Sequence, residues 1–489
     1  MEDMDQRRAP VLEALAEHRR LERYGFTPPG HRQGLGVSAD TLEVLGLDAF
    51  RNDLVATSGL DDRSSSGNVL QDAQALMAEA VGAEHAFFST CGSSLSIKAA
   101  MLAVTRGQGE ILIGRDSHKS VTAGLVLSGL KARWITPQWD AQLHLAHPPS
   151  PGEVERMWLR YPDASAALIV SPTPYGTCAD IAGIAEICHK RGKPLIVDEA
   201  WGAHLPFHDT LPTWAMDAGA DVCVVSVHKM GFGFEQGSVY HLQGSLVDPV
   251  RLQQSADVLA TTSASVPVYA AMDGWRRQMV RDGRDLLERS LALTRRVRTE
   301  IESIEGIHVL EEELLHEEAS HDLDVLHIIM DLQQLGISGY QAADWLRAER
   351  RIDVGLNDHR RIEATLSPAD NMTTTGRLLD ALRDLSTAAA DLPHPPEVLV
   401  PSPGDLELET VMLPRDAFFG SVEVVPATEA VGRICAEQIT PYPPGIPAAL
   451  PGERLTPAVL DYLRSGVGAG MVLPDAADAT LETIRVARD

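Results

Sequence analysis

Between residues 69 and 228 the chain alternates short apolar runs with segments whose apolar positions recur at helical spacing. Short continuous apolar runs predict strands buried on both faces, and apolar residues three or four apart predict helices. The predicted strands are 86–90, 110–115, 166–173, 194–200 and 222–228; the predicted helices include 69–82, 93–105 and 181–192. This alternation predicts an α/β fold built on a parallel, doubly wound sheet, covered on both faces by helices.

The pattern changes on either side of this region. A helix is predicted over 10–24, ended by Gly25, and one long amphipathic helix over 279–304. A strand at 321–332 and a helix at 338–349, capped by Ser338, indicate a smaller α+β domain. The predicted organisation is an N-terminal helix and arm (1–45), a large domain (46–290), a small α+β domain (291–390) and a C-terminal domain (391–489).

Composition narrows the classes of function. The 489 residues are 44% hydrophobic and 23% charged, which is typical of a globular protein with two or more domains. The net charge of −27 disfavours nucleic acid as a partner and favours cationic small molecules, although acidic surfaces also serve solubility. There is no apolar run long enough to span a membrane and no secretory signal, so we expect no membrane partner. The five cysteines form no CxxC pair, so we expect reduced thiols in a cytoplasmic protein and no metal site.

The segment "VVSVHKMGFGFEQGSVYHL" (224–242) carries the first candidate residue. A predicted strand ends here and leads into Lys229 and a glycine-rich stretch. A solvated loop lysine is the ordinary explanation of such a residue. Glycines at this place would also let the backbone bend closely round a ligand.

Asp198 strengthens the case for a functional role of Lys229. It ends the preceding predicted strand, and neighbouring parallel strands bring their carboxyl ends to the same edge of the sheet, where ligands bind. A carboxylate and an amine at this edge suit pyridoxal phosphate, because lysine forms a Schiff base with its aldehyde and a carboxylate keeps its ring nitrogen protonated. A buried ion pair without a cofactor is the alternative.

Two further segments follow strand ends. Thr90 to Ser94 opens a helix after the strand at 86–90, where free N–H groups and hydroxyls would hold a phosphate; an ordinary serine N-cap is the alternative. His118 follows the strand at 110–115, where an imidazole would stack on a flat ring or serve as a capping or core histidine. The phosphate site, the flat-ring partner, the carboxylate and the lysine occur in the order expected of a fold-type-I pyridoxal-phosphate enzyme.

The chain also resembles the bacterial ornithine/lysine/arginine decarboxylase family from residue 24 to about 460. The resemblance rests on "FTPPGHRQG" (26–34), "GRDSHKSV" to "GLVLSG" (114–129), "SPTPYGTCADIAGIAEICHKRGKPLIVDEAWGAHLPFH" (171–208), "SVHK" to "QGSVYHL" (226–242) and "EAVGRICAEQITPYPPGIPAALPGE" (429–453). It implies removal of the carboxyl group of a basic amino acid by a pyridoxal-phosphate enzyme, giving an amine for polyamine biosynthesis. We expect arginine first, then lysine or ornithine.

The resemblance also implies residue roles. Lys229 is then the Schiff-base lysine, Asp198 the pyridinium partner and His118 the ring-stacking histidine, and these three are the predicted catalytic residues. The further residues expected to contact the cofactor are Gly92, Ser93, Ser94, Ala200, Trp201, Ser226, His228 and Thr262.

Departures from the family leave alternatives open. Cys91 to Ser94 replaces the more usual Gly-Thr-Ser, and "TTSASVPVYAAMD" (261–273) replaces a stretch that contacts the partner subunit's cofactor. Asp353 or Glu453 is expected to contact the cationic substrate. The resemblance is to a short form without an N-terminal wing domain, so a homodimer or dimer of dimers is expected and large rings are not.

Two other functions compete with decarboxylation. The first is an aminotransferase, oxidase or deaminase of a basic amino acid; a transaminase needs an arginine for the substrate carboxylate, and the candidates are Arg360, Arg361 and Arg377. The second is a catalytically silent homologue that only binds its ligand. The presence of both Lys229 and Asp198 argues against the second.

Overall fold

The computed structural model describes residues 4–56, 59–60, 68–105, 109–442 and 444–488. The chain divides into two compact units: the first comprises Met1–Ala103 and Pro194–Asp285, the second Val104–Lys193 and Leu286–Asp489. None of the helices in the described ranges combines the length and the apolar character that crossing a membrane requires.

The chain is a mixture of helices and short strands, as predicted. The helices are α1 (Pro10–Arg20), α2 (Ala39–Leu45), α3 (Leu47–Asn52), α4 (Val69–Val81), α5 (Gly92–Val104), α6 (Lys119–Ser128), α7 (Pro151–Arg160), α8 (Ile181–His189), α9 (Val227–Met230), α10 (Pro249–Leu259), α11 (Val266–Glu302), α12 (Gly339–Trp345), α13 (Met372–Ala388), α14 (Pro403–Leu406), α15 (Pro414–Phe419) and α16 (Pro457–Ala469). The strands are β1 (His85–Ser89), β2 (Glu110–Gly114), β3 (Lys131–Ile135), β4 (Gln138–Asp140), β5 (Leu145–His147), β6 (Ala167–Val170), β7 (Thr177–Cys178), β8 (Leu195–Asp198), β9 (Val222–Ser226), β10 (Ser238–Leu242), β11 (His308–Leu310), β12 (Asp322–Leu323), β13 (His327–Asp331), β14 (Arg361–Thr365), β15 (Val422–Pro426) and β16 (Thr483–Ala487).

In the first unit the strands lie in the order β1-β10-β9-β8. Strands β8 and β9 are parallel, as predicted, but β10 pairs antiparallel with both β9 and β1. The sequence did not indicate β10 as a strand, because the polar residues Ser238 and His241 interrupt its apolar pattern. Both are buried, and the Ser238 hydroxyl donates to the carbonyl of Val225, so the strand accommodates polar side chains inside the sheet.

In the second unit β2 lies between β6 and β3, and both pairs are parallel. A separate antiparallel sheet, β11-β13-β14, carries its own apolar core between residues 297 and 389. Another apolar core lies between residues 408 and 486 and includes side chains of the β15–β16 pair and α16. Parallel strands flanked by helices confirm the predicted α/β class, and a small antiparallel sheet accompanies them. The predicted domain boundaries stay a prediction.

Three element boundaries differ from the sequence prediction. Helix α1 ends at Arg20, so Leu21 and Tyr24 are exposed and do not extend its apolar face. Helix α11 begins at Val266, well before residue 279, because its first turns are apolar and buried. The strand predicted over 321–332 is two strands, β12 and β13, separated by a turn in which the carbonyl of Asp324 accepts the N–H of His327.

The N-terminal arm is anchored to α11 by a buried ion pair. The side chains of Asp273 and Arg276 are fully buried and lie 3.1 Å apart. Asp273 accepts the N–H of Val11 (2.9 Å) at the start of α1, and Arg276 donates to the carbonyl of Gln6 (2.8 Å) and to that of Arg8. Asp273 therefore satisfies an N–H that the first turn of a helix leaves without a partner, and Arg276 satisfies carbonyls of the segment that precedes α1.

We expect Asp273→Ala to lower the free energy of unfolding by about 3–5 kcal/mol, because it leaves the Arg276 guanidinium buried without its carboxylate. Asp282→Ala is the matched control, since its ion pair with Arg281 lies on the solvent-exposed side of the same helix and is worth about 0–1 kcal/mol. Chemical denaturation measures both. Equal losses in the two variants would contradict the anchoring role of Asp273.

Candidate active site

The first unit brings the ends of β8 and β9 side by side. In the parallel pairing Asp198, the last residue of β8, lies opposite Val224 of β9. Strand β9 continues to Ser226 and leads directly into the one-turn helix α9, which contains Lys229. The sequence predicted a glycine-rich turn at Lys229; the lysine instead lies on a helical turn, and the glycines follow it.

Burial dominates the electrostatics of Asp198 and Lys229. Asp198 is 4% exposed, and loss of hydration raises the pKa of its carboxyl to about 6, against the opposing charge of Lys229 and the N–H of Ala200. Loss of hydration likewise lowers the pKa of the Lys229 amine to about 8, against the carboxylate of Asp198. Within the described residues no ion pair of 4.0 Å or less joins the two groups, yet each affects the pKa of the other.

The amine of Lys229 lies over the indole of Trp201, with Nζ 4.2 Å from the ring centroid. Trp201 follows β8 by three residues, and the N–H of Ser226 donates to the carbonyl of Ala200, which connects this segment to the end of β9. An indole face attracts a cation and offers a flat apolar surface. Asp198, Ala200, Trp201, Ser226 and Lys229, all predicted from the sequence, therefore lie in one cluster.

The predicted phosphate segment lies at the start of α5, in the same unit. Gly92 begins the helix with φ +75°, and a Cβ added there would meet no atom within 4 Å. The Ser226 hydroxyl donates to the hydroxyl of Ser93 (2.8 Å), so the end of β9 and the start of α5 are in contact. Ser93 and Ser94 are both partly exposed. Hydroxyls and open space beside a helix N-terminus suit an anion.

Two other predicted residues lie in this unit. His228 is partly buried, and its Nδ1–H donates to the carbonyl of Gly237 (3.3 Å), which fixes the ring; burial lowers the pKa of this imidazole. Thr262 is exposed and lies at a small cavity lined also by Thr90 and Cys91. Its predicted contact with a partner subunit's cofactor stays a prediction.

The glycines after Lys229 serve the packing of the chain itself. A Cβ at Gly231 would lie 2.5 Å from the carbonyl of Val227 and 2.9 Å from the ring of Trp275, and a Cβ at Gly237 would lie 3.3 Å from Met272. These contacts give Gly231 and Gly237 a reason to be glycine in the packing of the chain itself, and the interpretation that they bend round a ligand stays a prediction. They allow α9 and the following turn to pack against α11.

Sequence reasoning missed Glu199. This side chain is fully buried, its Oε2 accepts the thiol of Cys223 (3.1 Å) and the N–H of Ala215 (3.4 Å), and burial raises the pKa of its carboxyl well above the ordinary value. Alternation along an extended backbone directs Asp198 and Glu199 to opposite sides. The adjacent acids in "DEA" were the available signal. Asp198 is predicted to contact the cofactor, and Glu199 connects the segment after β8 to Cys223 of β9.

His118 lies in the second unit, where it caps the N-terminus of α6. Its Nδ1 accepts the N–H of Ser120 (3.2 Å). The two carboxylates expected to contact a substrate are both already paired: Asp353 is exposed and binds Arg347 (2.7 Å), and Glu453 is buried beside Arg115 (3.4 Å). Their role at a substrate, and that of His118 at a cofactor, stay predictions.

The residues of the first unit fit pyridoxal phosphate. A buried carboxylate of raised pKa without a direct ion pair suits a protonated ring nitrogen, and a nearby amine of lowered pKa suits an aldehyde. The open, hydroxyl-lined start of α5 suits a phosphate. Each of the three chemical groups of the cofactor therefore has a residue of the appropriate type.

Comparison with known proteins agrees with this fit. Residues 9–329 match the Orn/Lys/Arg decarboxylase major domain, and residues 405–474 match the C-terminal domain of the same family. An arginine decarboxylase of Bacillus subtilis is 36% identical over 489 residues, covering 99% of both chains, and one of Halalkalibacterium halodurans is 36% identical over 99% of this chain and 98% of the relative.

A solved structure of the Escherichia coli constitutive lysine decarboxylase shares the fold, with a TM-score of 0.81 and 20% identity over 99% of this chain and 82% of the other. With two domains matched in order and relatives aligned along their full length, the fold and the family indicated by the sequence are confirmed. The chain belongs to the Orn/Lys/Arg decarboxylase family and is a pyridoxal-phosphate-dependent decarboxylase of a basic amino acid.

Proposed function

We propose that the substrate is arginine, which the enzyme converts to the corresponding amine and CO2, a product suited to polyamine biosynthesis. The observation that carries this proposal is the 36% identity to an arginine decarboxylase over 99% of both chains. The net charge of −27 supports it, because an acidic protein attracts a cationic amino acid. Lysine, which the structural relative acts on by its name, is the next candidate.

We assign cofactor binding to the cluster of residues around Asp198 and Lys229 in the first unit. Lys229 would hold the aldehyde through its amine, Asp198 the ring nitrogen, and Gly92, Ser93, Ser94 and Ser226 the phosphate, with Ala200, Trp201, His228 and Thr262 around them. When bound, pyridoxal phosphate supplies a conjugated ring that accepts the electron pair left on Cα as CO2 departs. His118 is assigned to the face of that ring.

Asp198 has the task of keeping a proton on the ring nitrogen. Its pKa of about 6 leaves it mostly ionised at neutral pH, and its burial makes the interaction with a cation strong. A fixed, desolvated carboxylate needs no reorganisation as charge develops during the reaction. This contact supports the release of CO2 by stabilising the electron-rich state that follows it.

Lys229 has two tasks. Its lowered pKa keeps part of the amine neutral, and therefore nucleophilic, near neutral pH. Once the substrate has replaced Lys229 at the aldehyde, the free Lys229 amine next to Trp201 is able to carry a proton to Cα of the substrate. The indole would keep this amine away from bulk water while it does so.

We further propose a cytoplasmic homodimer, or a dimer of two such dimers, with a basic amino acid as its small-molecule partner. Its five cysteines are free thiols, in keeping with a reducing compartment. Thr262 is exposed near the start of α5 and is available to contact the cofactor of a second subunit.

The substrate is tested by supplying arginine, lysine and ornithine separately to the purified enzyme and measuring CO2, amine and α-keto acid. We expect kcat/KM for arginine to exceed that for lysine by roughly tenfold or more, because a planar guanidinium and a compact ammonium need different contacts. Equal or greater turnover of lysine would reject arginine, and α-keto acid in place of CO2 would favour an aminotransferase or an oxidase.

We expect the covalent capture of pyridoxal phosphate by the cofactor-free protein to accelerate about tenfold per pH unit until about pH 8 and then level off, because the neutral Lys229 amine is the reactive form. At pH 7 an amine of this pKa is neutral roughly 300 times more often than an ordinary lysine. Stopped-flow absorbance follows the reaction, with Lys229→Ala as the control that should show none. A rise that continues toward pH 10 would contradict the lowered pKa.

We expect Asp198→Asn to bind the cofactor but to lose about 3 kcal/mol or more of transition-state stabilisation, roughly a 100-fold drop in kcat. Glu199→Gln is the matched control: burial raises the pKa of the Glu199 carboxyl well above its ordinary value, so we expect the neutral amide to leave activity near that of the unmodified enzyme. Steady-state CO2 release measures both. Full turnover by a cofactor-loaded Asp198→Asn variant would remove Asp198 from the proposed role.

A further inference from the structure

The His118 imidazole has neighbours at two parts of its ring. Nδ1 accepts the N–H of Ser120 (3.2 Å) and lies 3.0 Å from the Ser120 hydroxyl. Gly445 lies close to the Cδ2 and Nε2 atoms: a Cβ added to this glycine would be 2.9 Å from Cδ2 and 3.1 Å from Nε2. A hydrogen bond at Nδ1 and close packing at Cδ2 and Nε2 together restrict rotation of the ring about the Cβ–Cγ bond.

Gly445 belongs to a loop, residues 444–448, that lies against the segment carrying His118. The carbonyl of Gly445 accepts the N–H of Lys119 (2.9 Å), and the Arg115 guanidinium donates to the carbonyl of Pro447 (2.7 Å). The loop therefore contacts the residues on both sides of His118 as well as the imidazole itself. Its position is fixed by backbone atoms, which cannot rotate away as a side chain can.

Ion pairs beside the loop hold the two segments together. Arg115 lies 3.4 Å from the buried carboxylate of Glu453, and the Lys119 ammonium lies 2.8 Å from Asp475. Lys119 also lies over the ring of Tyr442, at 5.4 Å from its centroid. Each cation flanking His118 is thus bound by an acid from the C-terminal part of the chain.

Gly445 has two reasons to be glycine. Its φ of +91° lies in the left-handed region that disfavours a Cβ, and the space that a Cβ would need is occupied by His118. Gly432 shares only the first reason: its φ is +81°, it also lies in the C-terminal part, and a Cβ there would meet nothing within 4 Å. A comparison of alanine substitutions at the two glycines therefore distinguishes the effect of backbone strain from the effect of contact with His118.

We propose that the 444–448 loop sets the plane of the His118 imidazole for contact with the cofactor, and that Gly445 is a positioning residue acting through His118. This inference rests on the proposed function, in which His118 faces the cofactor ring. On this view Gly445 affects the cofactor only through the position of one ring.

The test compares full-length Gly445→Ala, Gly432→Ala, His118→Ala and the double variant His118→Ala/Gly445→Ala. For each, the melting temperature is recorded and pyridoxal phosphate is titrated into cofactor-free protein to obtain Kd. We expect Gly445→Ala to bind the cofactor about fivefold more weakly than Gly432→Ala, the size of one misplaced aromatic contact. In the His118→Ala background Gly445→Ala should change Kd no further, because the ring that it displaces is gone.

The results distinguish the positioning of His118 by Gly445 from the role of His118 at the cofactor. If Gly445→Ala and Gly432→Ala bind pyridoxal phosphate with the same Kd while His118→Ala binds it more weakly, the loop does not position the ring and the proposed function stands. If His118→Ala binds the cofactor like the unmodified protein, the assignment of His118 falls and the inference falls with it. If Gly445→Ala does not fold, the double variant should fold, with a melting temperature below that of His118→Ala by no more than Gly432→Ala falls below the unmodified protein, because only the strain of the positive φ remains. A larger fall, or an equal loss of affinity in both backgrounds, would overturn the contact.

Discussion

Removal of one carboxylate and one amine from water at adjacent strand ends is the constraint on which the site depends. Burial raises the pKa of Asp198 and lowers that of Lys229, so each group is shifted toward its neutral form. Desolvated charges without a direct ion pair stabilise a fold poorly. The pairing of β8 with β9 positions Asp198 next to the strand that leads into Lys229, and a bound ligand with a cationic ring nitrogen and an aldehyde would recover the electrostatic cost.

The parts of the fold that follow from local periodicity were predictable. The parallel strands that end at Asp198 and Ser226 are short, continuous apolar runs, and their ends gave the carboxylate and the lysine. Strand β10 was not predictable in this way, because it buries a serine and a histidine, and the Ser238 hydroxyl finds its acceptor on the neighbouring strand, at the carbonyl of Val225. The packing of the glycines after Lys229 was likewise not predictable, because their close contacts include Trp275 and Met272 of α11, and sequence spacing does not contain that information.

Of the candidate site, the identity of the residues came from the sequence, and their electrostatic state came from the structure. Asp198 and Glu199 are adjacent carboxylic acids, yet burial raises the pKa of Asp198 to about 6 beside a lysine, and raises the pKa of Glu199 well above its ordinary value despite a thiol and a backbone N–H that donate to it. No pattern of residue types distinguishes these two environments. The three-dimensional neighbours of each acid decide its chemistry, and these depend on which side of the backbone the side chain leaves.

The anchoring of the N-terminal arm has a consequence for the synthesis of the chain. Val11 meets its partner Asp273 across 262 residues of sequence, and Gln6 meets Arg276 across 270. The first helix therefore leaves the ribosome long before these two partners are translated. Until then the N–H of Val11 and the carbonyl of Gln6 lack them, so the earliest segment of the polypeptide is among the last to complete its hydrogen bonds.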